Sequence, residues 1–172
     1  VSSSLEWAPE SAGSEIFFVR EVAQAYRYTP WRRLVFASAA RLGMVAPLGG
    51  QEVIPSVRFF GGGSRTVRGV AEDGLGARDF LGDPAGGQGQ LILNQEVRFP
   101  LYRWLRGVGF LDAGNVFAKP RDISFGNLVA SVGAGLRLAT PFAVLRVDYG
   151  RAVSGTGTDR SGRWTFGIGH TF

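Results

Sequence analysis

The sequence predicts an all-β chain in which eight antiparallel strands form an up-and-down transmembrane β-barrel. Three observations lead there. Segments of about ten residues alternate in polarity and end in turn residues, which is how barrel strands read. The links between them are short at 28–33, 100–105 and 139–142 and long at 46–89, 118–127 and 153–162. Outer-membrane barrels have that rhythm, with tight periplasmic turns and longer external loops. Aromatic residues gather near the strand ends: Trp7, Tyr26, Tyr28, Trp31, Tyr102, Trp104, Tyr149, Trp164 and Phe172. Such residues form girdles at the two membrane interfaces. A soluble β-sandwich would alternate in the same way, but it explains neither the rhythm nor the girdles.

The segments follow in order. Ser2 to Ala8 comes first, closed by Pro9 and Gly13. The second runs from about Glu15 to Arg27 and stops before Thr29-Pro30, and the third is Leu34 to Val45. A Gly/Pro/Asp-rich external loop at 46–89 precedes Gln90 to Phe99, Arg106 to Phe117, Leu128 to Leu138, Ala143 to Ala152 and Arg163 to Phe172. Successive strand residues face opposite ways. In the fourth segment Asn94, Glu96 and Arg98 therefore oppose Leu91, Leu93, Val97 and Phe99. Ser131, Gly133, Gly135 and Arg137 oppose Val132, Ala134, Leu136 and Leu138, and Arg146, Asp148 and Gly150 oppose Leu145, Val147 and Tyr149. In the last segment Arg163, Thr165 and Gly167 oppose Trp164, Phe166 and Ile168. Residues 1–172 read as a single barrel domain.

Composition agrees and excludes alternatives. Glycine supplies 26 of 172 residues, about twice the usual ~7 %, without the period of collagen. At 45 % hydrophobic and 19 % charged, the chain is too apolar for disorder. There is no cysteine, hence no disulfide or thiolate chemistry, and no apolar run long enough for a membrane-crossing helix. The net charge of +5 rests almost wholly on arginine, with Lys119 the only lysine, and no basic run marks a nucleic-acid arm. Nucleic acid is not an expected partner. The chain starts at Val1 without a charged, apolar leader, which reads as a processed chain or a part of a longer one.

Sites for covalent chemistry find little support. His170 is the only histidine and has lipid-facing parity, so an interfacial aromatic role outweighs a catalytic one. Asp73, Asp79 and Asp83 lack calcium-loop spacing. Gly133-Ala134-Gly135 opens a dinucleotide-like pattern with no helix after it. Arg65, Arg78, Arg121 and Arg160 read as scattered loop charges that lipid headgroups would attract. No cofactor, metal or enzymatic activity is expected.

Three stretches resemble one family. Arg58-Phe59-Phe60-Gly61-Gly62-Gly63-Ser64-Arg65-Thr66-Val67-Arg68-Gly69 is similar to the signature external loop of the BamA/TamA-like outer-membrane assembly and translocation barrels. Asn94 to Pro100 and Gly109 to Phe117 resemble the two strands that follow that loop. Gly133 to Tyr149, with Thr140-Pro141 at its turn, resembles the penultimate hairpin, and Thr165, Gly167 and the terminal Phe172 match the barrel-insertion signal, although His170 stands where the family prefers a hydrophobic residue. Family members typically carry periplasmic domains before a sixteen-stranded barrel, and these segments correspond to its last eight strands.

The resemblance implies a Gram-negative outer-membrane location and assistance to insertion or translocation of nascent outer-membrane proteins, through a weak seam between first and last strands. Two units that meet at their seams would give a homodimer. The other reading is a small structural or pore-forming barrel that has lost this machinery. The resemblance also implies that Arg68 reaches inside to Glu96 and Asp112, with Gly62, Gly63, Val67 and Gly69 shaping the loop around it. Parity places Glu96 with Asn94 and Arg98, and a guanidinium fork suits paired carboxylates in a sheltered lumen. A closed eight-stranded barrel, however, has room only for side chains. In that case the loop would lie over the mouth with at most its tip inside.

Overall fold

The computed structural model describes residues 1–8, 17–49, 52–155 and 159–169. Eight strands follow one another in a single antiparallel sheet, each paired with its sequence neighbours. They are β1 (Ser2–Ala8), β2 (Phe18–Trp31), β3 (Leu34–Pro47), β4 (Gly89–Tyr102), β5 (Leu105–Phe117), β6 (Val129–Ala139), β7 (Val144–Ala152) and β8 (Arg163–Ile168). The up-and-down order is the predicted one. Among the described residues β1 and β8 are the edges of the sheet and do not pair with each other.

Several boundaries differ from the sequence reading. β2 and β3 continue to a two-residue turn at 32–33, with Pro30 opposite Val35 and Arg32 at φ 54°. Proline breaks a strand only where its missing N–H is needed, and at the last rungs before a turn its loss is tolerated. Pro100 sits likewise beside a register shift before Tyr102. β8 stops at Ile168, because Gly169 takes φ 99°. Pro9, Gly13, Glu15, His170 and Phe172 lie outside the described residues.

The two faces of the sheet invert the pattern of a soluble protein. Leu111, Val132, Leu136, Leu145, Trp164 and Phe166 on the outer face are exposed, whereas Glu96, Asp112, Ser131, Arg137, Arg146 and Asp148 on the inner face are buried. Large exposed apolar surface belongs against lipid. Trp7, Trp31, Trp104 and Trp164 are all more than half exposed near strand ends. Tyr26 and Tyr28 correct the girdle reading. Their partners are Ala39 and Ala37, which pair in turn with Asn94 and Glu96 on the inner face. The Arg98 guanidinium stands over the Tyr28 ring accordingly.

The concave face is occupied by residues 52–88 of the long connection. Val53, Phe59, Val67, Val70 and Leu75 from this segment are buried in one apolar cluster with Phe18, Val45, Ile92, Val116, Val129 and Ala152 from the wall. Burial of each such side chain contributes roughly 1.5–3 kcal/mol, so the connection packs as a core element. An open, wider sheet admits what a closed eight-stranded lumen would not.

Candidate functional site

The site begins with the backbone of the loop tip. The Gly62 amide donates to Thr66 Oγ1 at 2.7 Å, and the same hydroxyl donates back to the Gly62 carbonyl. Gly63 N–H donates to Val70 O, and Leu75 N–H to Gly61 O, which closes residues 61–75 into a compact unit. Gly62, Gly63 and Gly69 all have positive φ, at 115°, 77° and 89°. At Gly69 the need is also steric: a Cβ would stand 2.6 Å from both Arg151 N and Gly150 C. The tip backbone thus lies directly on β7, where Gly150 offers no side chain to hold it away.

That approach delivers Arg68. Its Nε and Nη2 donate to Asp112 Oδ2 and Oδ1 at 2.7 and 2.8 Å, and its own amide donates to Oδ2 at 3.1 Å. Nη1 donates to Glu96 Oε1 at 2.5 Å. The side chain of Arg68 is 1 % exposed and those of both carboxylates 0 %. Burial alone disfavours the charge, yet Asp112 and Glu96 outweigh it and hold the Arg68 guanidinium above its ordinary pKa. Its Cζ also sits 3.6 Å from the centre of the Phe110 ring, a cation–π contact. Gly133, cross-strand from Phe110, leaves the room that ring occupies.

The site extends beyond the sequence reading. Asn94 Nδ2 bridges Asp112 Oδ1 and the Thr66 carbonyl. Arg98 donates to Glu96 Oε2 at 2.8 Å, and Arg137 donates to Asp148 Oδ1 at 2.6 Å while lying 3.6 Å from Glu96. Asp148 Oδ2 is 3.9 Å from Arg68 Nη1. The result is a largely buried network of three cations (Arg68, Arg98, Arg137) and three carboxylates (Glu96, Asp112, Asp148). Asp148 and Arg137 were legible as inner-face residues by alternation, but their pairing depends on a diagonal across Gly135 that spacing does not reveal. The other named positions lie apart. Val67 is fully buried in the loop core, Thr165 Oγ1 is buried without a partner opposite Asp148, and Gly167 lies beneath Arg146.

A docked loop held by buried charge on the inner wall of an up-and-down, apolar-surfaced sheet defines a membrane-barrel domain with an internal plug. The chain belongs to the Omp85 superfamily, whose domain description matches residues 1–172. It is 33 % identical over 144 residues to the outer membrane protein assembly factor BamA of Neorickettsia risticii (strain Illinois), a match that covers 78 % of this chain and 19 % of the relative. The chain thus spans about a fifth of that relative's length. Its fold is similar to the crystal structure of BamA from Haemophilus ducreyi lacking POTRA domains 1–3. The TM-score there is 0.73, with 20 % identity, across 87 % of this chain and 34 % of the other.

Proposed function

We propose that this chain forms the wall of an outer-membrane barrel that assists the insertion of nascent outer-membrane proteins, without covalent chemistry. The single observation that carries this reading is the contrast between an interior occupied by the loop and an edge unpartnered among the described residues. The tip of the 48–88 loop occupies the concave face, while the far edge of β8 pairs with no strand among the described residues. An exposed edge is a template on which another chain can add a strand. A passive pore needs an open lumen, so the docked plug weighs against that alternative. The kinship with an assembly factor supports the same reading. Outer-membrane lipids would cover the apolar outer face, and a second copy would meet this one through the same edges.

The test is insertion kinetics. The chain is reconstituted into liposomes, and the folding rate of a small unrelated barrel protein is compared with that in empty liposomes. Acceleration without ion conductance supports the proposal. Conductance without acceleration would establish the pore reading instead. Cysteine pairs placed along β1 and β8, in a chain with no cysteine of its own, report dimerisation as intermolecular cross-links.

A further inference from the structure

The buried network accounts for three cations and three carboxylates, and one further cation is left over. Arg146 on β7 is 7 % exposed, its Nη1 is buried without a hydrogen-bond partner, and it forms no ion pair among the described residues. Asp148, two residues along the same face of β7, is already committed to Arg137 at 2.6 Å. A buried guanidinium with no hydrogen-bond partner is costly, and an anion placed at Nη1 would offset that cost.

The place for it is visible. A cavity of about 480 Å³ is bordered by Arg146, Arg41 from β3, Arg65 and Ser64 from the loop tip, and residues 166–168 of β8. No carboxylate lines it. Arg146 pairs cross-strand with Gly167, and a Cβ at Gly167 would stand 3.1 Å from the Arg146 Cζ. The guanidinium therefore lies over Gly167, toward the edge of β8 that no described strand covers. A strand added at that edge would set alternate side chains on the inner face. Its residue opposite Gly167 would meet Arg146.

We propose that this pocket binds a carboxylate carried by an extended polypeptide segment that adds to the edge of β8, an Asp or Glu at the position opposite Gly167. Arg146 supplies the fork, and Arg41 and Arg65 supply further positive charge. A lipid phosphate fits less well, because Arg146 and Arg41 stand on the inner face of the sheet and lipid lies against the outer one. The inference rests on the edge-pairing reading above and names the chemistry that the edge selects.

The experiment uses the full chain in detergent and two ten-residue peptides of alternating apolar and polar residues. They differ only in one inward position, Asp in one and Asn in the other, and the substituted position is moved along the peptide to find the register. At the best register the Asp peptide should bind about tenfold more tightly, the scale of one sheltered charge-assisted pair. In Arg146→Gln that preference should disappear, and in Arg146→Glu a Lys peptide should replace the Asp peptide as the preferred one. Without peptide, Arg146→Gln should melt no lower than the parent, since it removes a cation that has no partner. Equal binding of both peptides by the parent at every register would overturn the proposal. So would vesicles of anionic phospholipid or inorganic phosphate binding through Arg146 while the Asp peptide does not, or a large loss of stability in Arg146→Gln. If peptide discrimination holds but insertion is not accelerated, the insertion reading fails and the pocket stands. The reverse outcome removes only the pocket.

Discussion

The middle and the margins of this sheet are built differently. From β4 to β7 the inner face is buried under a docked loop tip, and charge on the wall meets charge on the loop at 2.5–2.8 Å. At the margin β1 is exposed from Ser2 to Trp7, and its only cross-strand ion pair among the described residues, Glu6 with Arg20, is a 3.5 Å contact with both side chains substantially exposed. The same strand pattern thus yields a rigid centre and weakly held edges. A protein that opened by fraying at its edges would keep its plug. Stability is concentrated away from the place where another chain would pair.

Substitutions in the centre should therefore cost far more than those at the margin. The largest effect is expected from Arg68→Ala, which leaves Asp112 without a cation among the described residues and takes one of the three arginines around Glu96. Losing one member of a buried pair costs about 3–5 kcal/mol. The 48–88 loop should undock and become sensitive to external protease while the strands stay folded. Unchanged cleavage would sever the link between this network and docking. Gly69→Ala comes next, because φ 89° and the contact with the β7 backbone both oppose a Cβ. A strained left-handed position alone costs about 1–3 kcal/mol, and the same protease assay should show partial undocking. Phe110→Leu removes the ring beneath Arg68 and should lower the thermal midpoint by an amount corresponding to about 0.5–2 kcal/mol. At the margin, Glu6→Gln should change stability by no more than about 1 kcal/mol, the range for exposed pairs. A larger effect there would mean that β1 is as firmly held as β5.

How much of this could be read in advance differs between the same two regions. The strands were legible because a two-residue period is local, and each inner-face residue of β4, β6 and β7 follows from it. Arg68 was reached through resemblance and the parity of Glu96 together. Its docking depth was not legible, because that depends on how wide the sheet opens, a property of all eight strands at once. The roles of Phe110 and Gly150 at the site are not legible for a related reason. The ring matters only because Gly133 faces it, and Gly150 only because Gly69 arrives against it. Aromatic type near a strand end points Tyr26 and Tyr28 to the interface, whereas their register with Ala39 and Ala37 turns them to the inner face. Pro30 looked like a terminator, yet it sits at a rung that a neighbouring turn makes dispensable.

Hydrogen exchange resolved along the chain tests the central contrast most directly. If the loop tip is a core element, amides of residues 61–75 that bond within the protein should exchange about as slowly as those of β4 and β5. Those of β1 and β8 should exchange far faster. Exchange of 61–75 at the rate of an open surface loop, with β8 as protected as β5, would contradict the account.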